Sequence, residues 1–200
     1  TCNGYPMMLL AGIGLEANAI EAASREVKDR FGILAYIMAG IGQLQALELF
    51  EVTIETDDTT ITCQASAITV ANAAPPTSIL AQGADEVIYT DGLLDITIFA
   101  PANTLDALMA SYHLLQSALQ NRATVRDDIG YLRARNVRIT ANPPQKVVID
   151  GEIIEADTIE VSCIPLGLNI FVDKIMHEDP QTRLSGLPNL VVRVGESSHN

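Results

Sequence analysis

The sequence predicts an α+β fold, an antiparallel β-sandwich with about three helices in the N-terminal part of the chain. Its 200 residues are 48% hydrophobic, enough to bury one core, so we expect a single domain over residues 1–200. Short β-rich runs bounded by turn residues fill the chain after Gly130. Segments with helical periodicity lie before that point, and helices kept apart from strands in this way are typical of α+β domains.

A buried strand and two helices are predicted first. Residues 7–14 form an apolar run closed by glycines, which indicates a buried strand. Apolar residues then recur at helical spacing from Leu15 to Phe31, and Gly32 follows at the place of a C-cap. A second helix is predicted over residues 33–49, which are apolar on most sides and therefore expected to be buried.

Two hairpins are predicted next. Apolar and polar residues alternate on both sides of Asp57-Asp58, and the second strand of this pair is expected to continue to Asn72. Residues 87–89 and 94–99 then flank Asp91-Gly92, a dipeptide that is typical of hairpin turns.

A third helix and an all-β second half complete the prediction. The helix begins at Asn103, whose side chain is suited to cap its N-terminus, and Asp106 lies favourably in the first turn. The predicted buried face of this helix consists of Leu105, Leu108, Met109, Tyr112, Leu115 and Leu119. Later strands are predicted over residues 131–140, 146–150, 159–163 and 168–172, and a short apolar piece follows at 190–194.

The charge and the cysteines exclude several classes of function. A net charge of −13 and a pI near 4.4 argue against nucleic acid as a partner, because nucleic acid attracts clusters of Lys and Arg. The same charge is repelled by an anionic lipid surface. The three cysteines form no C-x-x-C pair, so neither a zinc site nor a disulfide framework is expected, and a cytoplasmic location fits. The longest apolar run, at residues 33–42, is too short to span a bilayer.

The most informative segment is residues 147–152, V-V-I-D-G-E. A buried strand that ends in glycine would present Asp150 and Glu152 on a rigid element, where carboxylates can meet a ligand. The alternative is that Asp150-Gly151 is a hairpin turn with two solvated acids. The same two interpretations apply to the loop at Asp91.

Five short blocks give this segment a context. They are residues 9–14 (L-L-A-G-I-G), 68–72 (I-T-V-A-N), 91–95 (D-G-L-L-D), 149–152 (I-D-G-E) and 164–170 (I-P-L-G-L-N-I). In this order and spacing the series, over residues 6–172, resembles the C-terminal half of bacterial diacylglycerol kinase-like lipid kinases, the family that includes sphingosine and ceramide kinases. The G-G-D-G-T phosphate loop of that family's N-terminal half does not occur in these 200 residues. We therefore expect the lipid-binding half, without the nucleotide-binding half.

The resemblance implies roles for six residues. Glu152 matches the acid that accepts the proton of the lipid hydroxyl, and Asp150 would assist it through metal or nucleotide contacts. Asn72 is expected near the cleft between the two halves, where its amide would contact the substrate or cap the backbone. A structural Mg²⁺ is implied at the Asp91 loop, held by the carboxylate of Asp91 and the carbonyl groups of Ile88 and Leu93, with waters completing an octahedron. A turn without metal is the alternative for this loop.

The resemblance also implies a function for the full-length protein. It would transfer the γ-phosphate of ATP to a lipid hydroxyl such as that of diacylglycerol, with Mg²⁺ as cofactor. Its partners would be the lipid substrate, the N-terminal nucleotide-binding domain of the same polypeptide and, transiently, a membrane surface. Two alternatives stay open: a kinase for a sphingoid base or another lipid alcohol, and a non-catalytic β-sandwich binding module in which Asp150 and Glu152 are surface turn residues.

Overall fold

The computed structural model describes residues 1–15, 48–74, 87–120, 124–154, 156–169 and 181–194. Eleven strands and one helix lie within these ranges. The strands are β1 Leu10–Gly14, β2 Phe50–Thr56, β3 Thr59–Ala65, β4 Ala67–Ala71, β5 Leu94–Phe99, β6 Ile129–Ala134, β7 Asn136–Asn142, β8 Val147–Ile149, β9 Glu152–Ile154, β10 Thr158–Ser162 and β11 Val191–Val194, and the helix is α1 Thr104–Gln120.

The strands form two antiparallel sheets that share one core. One sheet has six strands in the order β6-β5-β4-β1-β8-β9, and the other has five in the order β10-β7-β2-β3-β11. Apolar side chains from both sheets meet in a single buried cluster, which includes Ile13 and Ile96 from the first and Val52 and Ile139 from the second. This sandwich-like packing of two antiparallel sheets is the predicted one.

Two predicted strands are each divided between the two sheets. The run from residue 59 to Asn72 bends at Ser66, where β3 of the five-stranded sheet passes into β4 of the six-stranded sheet. Ser66 is held there by the backbone of Phe99, which accepts hydrogen bonds from its N–H at 2.8 Å and from its Oγ at 3.1 Å. The run over residues 131–140 divides in the same way at Arg135, between β6 and β7.

Each division shifts the alternation of side chains by one residue. The side chains that face the shared core are odd-numbered in β3 and even-numbered in β4, and they are even-numbered in β6 and odd-numbered in β7. A continuous strand keeps one parity because its side chains alternate with period two. The two bends therefore turn one apolar run into a pair of strands that cover the core from both sides.

Helix α1 has the predicted start and a different buried face. Asn103 caps it: its Oδ1 accepts the N–H of Asp106 at 3.0 Å, and its Nδ2 donates to the Asp106 carboxylate at 2.6 Å. The buried side is lined by Ala107, Ala110 and Leu114. Four residues of the predicted buried face are 45–67% exposed, namely Leu105, Leu108, Met109 and Tyr112. That assignment was wrong, because the helix packs with small alanines against the outer side of the six-stranded sheet at Phe99 and Ile129.

Other expectations fall partly outside the described residues. The prediction of about three helices is not confirmed: α1 is the one helix described, and the segments predicted as the first two, residues 15–31 and 33–49, lie outside the description except at their ends. Residues 87–89 are not a strand, and neither are 168 and 169. The apolar piece at 190–194 does form a strand, β11, paired with β3.

Candidate functional site

One end of the six-stranded sheet gathers every residue singled out from the sequence. Strands β1, β5 and β9 begin there, and β4 and β8 end there, as the partners Leu10 with Ala71, Ala71 with Asp95, and Ile149 with Glu152 show. The residues beside this end are Asn72 after β4, Ile88, Asp91 and Leu93 in the loop before β5, Asp150 after β8 and Glu152 in β9. The antiparallel pairing thus brings together residues that lie far apart in the chain.

Asp150 and Gly151 are the two turn residues of the hairpin formed by β8 and β9. Both have positive φ, 47° and 92°, as a two-residue type I′ turn requires. A left-handed conformation is open to glycine and is tolerated by aspartate, so the Asp-Gly sequence fits these two positions. The hairpin interpretation of this dipeptide is therefore confirmed.

The carboxylate of Asp150 holds the start of β1. Its Oδ2 accepts the N–H of Met8 at 2.7 Å, and its Oδ1 accepts those of Leu9 at 2.8 Å and Leu10 at 3.0 Å. The backbone N–H of Asp150 in turn donates to the carbonyl of Leu10 at 2.9 Å. Hydrogen bonds that end on a charged carboxylate are stronger than neutral ones. Asp150 thus fixes the hairpin to the chain segment that leads into the sheet.

Asn72 holds the same segment from the neighbouring strand. Its Nδ2 donates to the carbonyl of Met8 at 3.0 Å, and its backbone N–H donates to that of Leu9 at 2.8 Å. Its Oδ1 faces the thiol of Cys163, with the Sγ at 3.9 Å. Burial raises the pKa of Cys163, and the nearby Asp91 raises it further, so the thiol keeps its proton and can donate it. The N–H groups of residues 8–10 are thus bound by Asp150, and the carbonyl groups of residues 8 and 9 by Asn72.

Glu152 is exposed at this end of the sheet, as are Asp91 and Asp150. It begins β9, the edge strand, directly after the turn. Within the described part of the chain, its carboxylate has no hydrogen bond or ion pair. Two acids of one motif therefore differ: Asp150 is engaged by backbone, and Glu152 faces solvent and can meet a substrate.

The Asp91 loop contains an ion-pair network that sequence reasoning missed. Oδ1 of Asp91 accepts the N–H of Leu93 at 2.8 Å, and its Oδ2 is bound by the guanidinium of Arg133 from β6. Behind this pair lies Asp95, which is 1% exposed, with its Oδ1 3.9 Å from Nε of Arg133. The hydroxyl of Tyr131 also donates to Asp95. The sequence contained only part of the signal, an acid within the apolar strand β5, because the arginine opposite it in β6 follows from the strand pairing.

Arg133 remains charged in this setting. Burial lowers the pKa of its guanidinium, but the facing groups of Asp91, Tyr131 and Asp95 outweigh that effect and raise the pKa above its ordinary value. This side of the site therefore holds a permanent positive charge between two carboxylates.

Mg²⁺ does not fit the Asp91 loop in this arrangement. The ion requires oxygen ligands at about 2.0–2.1 Å in a nearly ideal octahedron. Both oxygens of Asp91 already have partners, and one of these partners is a cation. Within the described ranges, no three His, Cys, Asp or Glu side chains are grouped so that they could hold a metal ion.

The Asp91 loop and the Asp150-Gly151 turn lie far apart along the six-stranded sheet. The loop at Asp91 leads into β5 and Glu152 lies in β9, so four strand spacings divide them in the order β5-β4-β1-β8-β9. At about 4.8 Å per spacing, this is a distance of about 19 Å along the sheet. A group bound at the Asp91 loop would therefore not touch the carboxylate of Glu152.

Among the described residues, no helix has the length and apolarity needed to cross a bilayer.

Comparison with known proteins gives one family match. Residues 10–172 match the model of the YegS C-terminal NAD kinase beta sandwich-like domain. An uncharacterized protein of Synechocystis sp. is 50% identical over 170 residues, which are 85% of this chain and 39% of that protein. A protein of Staphylococcus haemolyticus named "putative lipid kinase" is 25% identical over 84% of this chain and 53% of its own length.

Solved structures show the same fold. A structure from Bacillus anthracis, named "putative diacylglycerol kinase", superposes with a TM-score of 0.60 at 19% identity and covers 82% of this chain and 53% of its own. A second structure of that name and organism gives a TM-score of 0.54 at the same identity. The chain thus spans about half the length of the named kinases that it resembles.

Proposed function

Because this chain belongs to the YegS-like, diacylglycerol kinase-like lipid kinase family, as its C-terminal β-sandwich domain, we propose that the whole protein transfers the γ-phosphate of ATP to the hydroxyl group of a lipid such as diacylglycerol. Mg²⁺ would accompany the nucleotide as cofactor. We place the protein in the cytoplasm, with transient contact to the membrane that holds its substrate. The observation that carries the proposal is the exposed Glu152 beside a turn that is fixed by Asp150.

Glu152 is the proposed general base. In the reaction, the lipid hydroxyl oxygen forms a bond to the γ-phosphorus, the bond from phosphorus to the β-γ bridging oxygen breaks, and ADP leaves. The hydroxyl proton passes to the carboxylate of Glu152. The carboxylate of Glu152 is open to a substrate hydroxyl group, whereas that of Asp150 is occupied by three backbone N–H groups.

Asp150 and Asn72 are proposed as positioning residues. Phosphoryl transfer depends mainly on placing the reacting groups, and a small displacement is costly. Asp150 ties the turn before Glu152 to the backbone of residues 8–10, and Asn72 fixes the same backbone to β4. This replaces the expected metal or nucleotide contact of Asp150 with a role in holding Glu152.

The nucleotide site is proposed to lie outside these residues. Phosphoryl transfer requires a loop that cradles the phosphates, and the G-G-D-G-T motif is absent from the 200 residues. The chain also spans only about half of its named relatives. We infer that a further domain of the same polypeptide binds ATP and faces the end of the sheet that carries Glu152.

The test is a kinase assay on the whole protein with ATP, Mg²⁺ and a panel of diacylglycerol, sphingoid bases and other lipid alcohols. We expect the wild type to phosphorylate one of these lipids, and Glu152→Gln to lower turnover by roughly 10²–10⁴ with the fold retained. Glu51→Gln, an exposed acid on the other sheet, is the matched control and should be fully active. Near-normal turnover in a folded Glu152→Gln protein would refute the role of Glu152.

A second candidate is a non-catalytic binding module. The turn role of Asp150-Gly151 favours it, since this dipeptide can be explained by structure alone. The lipid panel separates the candidates: a binding module transfers no phosphate to any lipid, while a sphingoid-base kinase keeps the dependence on Glu152 and changes only the preferred acceptor.

A further inference from the structure

The loop at Asp91 is closed by an arginine from the neighbouring strand. Strands β5 and β6 pair so that Arg133 stands opposite Asp95, and its guanidinium reaches the Asp91 carboxylate in the loop before β5. We propose that Arg133 takes the place of a divalent cation at this loop, so that its guanidinium and Mg²⁺ compete for the carboxylate of Asp91. This inference stands apart from the proposed kinase activity and concerns how the loop is held.

The side chains of the pair are partly removed from solvent, although Asp91 as a whole residue is exposed. The side chain of Arg133 is 12% exposed and that of Asp91 is 20% exposed. Charges in such a setting are screened much less than on an open surface. Removing Arg133 would therefore leave the carboxylate of Asp91 without its cation, whereas removing Asp91 leaves Arg133 with Asp95. This explains why the loop needs a cation, whether it comes from the chain or from solution.

Among the described residues, the charged side chains placed around the loop balance without a metal ion. Two carboxylates, Asp91 and Asp95, lie around Arg133. A second guanidinium belongs to Arg135, whose terminal nitrogen is 3.8 Å from the position that a Cβ would take on Gly92. A divalent cation added to two negative and two positive groups would create an excess of positive charge.

Both carboxylate oxygens are also engaged. Oδ1 accepts the Leu93 N–H and Oδ2 faces Arg133, so a metal ion at Asp91 would have to bind a remaining lone pair beside a guanidinium. Mg²⁺ loses its waters reluctantly and tolerates little distortion. The guanidinium makes directed hydrogen bonds to a carboxylate and has no hydration shell of comparable strength to lose. Arg133 is therefore the better occupant.

Thermal unfolding of the 200-residue chain tests the competition, with and without excess MgCl₂ at constant ionic strength. We expect the melting temperature of the wild type to be unchanged by Mg²⁺. Arg133→Gln should melt lower without Mg²⁺ and recover roughly 2–4 °C when Mg²⁺ is added, because the freed carboxylate binds the ion. The double variant Arg133→Gln/Asp91→Asn should lose that recovery. Arg193→Gln, which removes an exposed arginine on β11 elsewhere, should gain nothing from Mg²⁺.

Two results would overturn the proposal. One is a wild type that is stabilised by Mg²⁺ in a way that Asp91→Asn abolishes, because the metal and the loop would then coexist with Arg133. The other is a folded Arg133→Gln that gains no stability from Mg²⁺.

If Arg133→Gln does not fold, a Mn²⁺ titration of the wild type followed by NMR tests whether a divalent cation binds at the Asp91 loop. Selective broadening of the Asp91 and Leu93 amide signals contradicts the proposal, and broadening no greater than in Asp91→Asn supports it.

Discussion

Two Asp-Gly turns lie at the same end of the six-stranded sheet, and the carboxylates of their aspartates are bound by different partners. Asp150 is bound by three consecutive backbone N–H groups, those of residues 8–10. Asp91 is bound by one N–H group and by the guanidinium of Arg133. The same dipeptide therefore serves to attach a distant chain segment in one case and to close a loop on a neighbouring strand in the other.

The comparison separates turn geometry from side-chain role. Gly92 and Gly151 both have positive φ, 78° and 92°, which explains glycine at both places. The aspartates differ because their partners differ, and a dipeptide does not specify its partners. Among the described residues beside the two turns, the acid whose carboxylate has no hydrogen bond or ion pair is Glu152, directly after the Asp150-Gly151 turn. This is why we assign the chemistry to that turn.

The largest effect on stability is expected at Asp150. Asp150→Asn keeps a residue that tolerates positive φ, so it removes the charge and leaves the turn. It turns an N–H₂ group toward one of the three N–H donors, and we expect a loss of roughly 2 kcal/mol in the free energy of unfolding. Urea denaturation measures it, with Asp157→Asn, an exposed acid, as the matched control. A loss equal to that of the control would mean that the three hydrogen bonds contribute nothing.

Asp91→Asn should cost less, roughly 1 kcal/mol. The asparagine Oδ1 can still accept the N–H of Leu93, and Arg133 keeps Asp95 as a carboxylate partner. The same urea experiment gives the value. A cost above that of Asp150→Asn would reverse the comparison and would show that the loop at Asp91, not the hairpin, is the more strongly stabilised turn.

The fold was readable from the sequence where local pattern decides it. The hairpin of β2 and β3, the cap at Asn103 and the sandwich class follow from alternation and turn residues. The hairpin predicted around Asp91-Gly92 was wrong, because residues 87–89 are not a strand. The bends at Ser66 and Arg135 could also have been predicted from the sequence. The numbers of the core-facing apolar residues change from odd to even at Ser66 and from even to odd at Arg135. A single long strand was predicted in each case because the apolar content was read without its parity.

Other features depend on contacts that no local pattern contains. The carboxylate of Asp150 binds residues 140–142 positions earlier in the chain. The buried side of α1 was wrongly predicted because large apolar residues were assumed to face the sheet. In the structure, the alanines of α1 pack against Phe99 of the sheet. The pair of Arg133 with Asp91 spans 42 positions and became evident only from the pairing of β5 with β6.

An effect of about the same size as that of Asp91→Asn is expected from the glycines of the two turns. Gly151→Ala meets no atom within 4 Å, so its cost is that of placing an L-residue at positive φ. A left-handed conformation costs a non-glycine residue about 1 kcal/mol. Gly92→Ala places its Cβ 3.4 Å from Pro165, an ordinary contact, and should cost about the same. Equal losses in urea denaturation would confirm that the two turns differ in their carboxylates and not in their backbones. Unequal losses of stability in the two variants would show that the backbones of the two turns differ as well.

The smallest expected effect is the response of these 200 residues to ATP. Neither turn offers a site for phosphates: Asp150 and Asp91 are negative, and the guanidinium of Arg133 is already paired. The phosphate-cradling loop is missing from the sequence, so only one wall of a nucleotide cleft would remain. We therefore expect cooperative thermal unfolding, as for a folded domain, and no measurable heat when ATP and Mg²⁺ are titrated in a calorimeter. The whole protein should give a clear binding isotherm under the same conditions. Micromolar binding by the 200 residues alone would place the nucleotide site within them, and the proposed division between an ATP-binding domain and this lipid-binding domain would then be wrong.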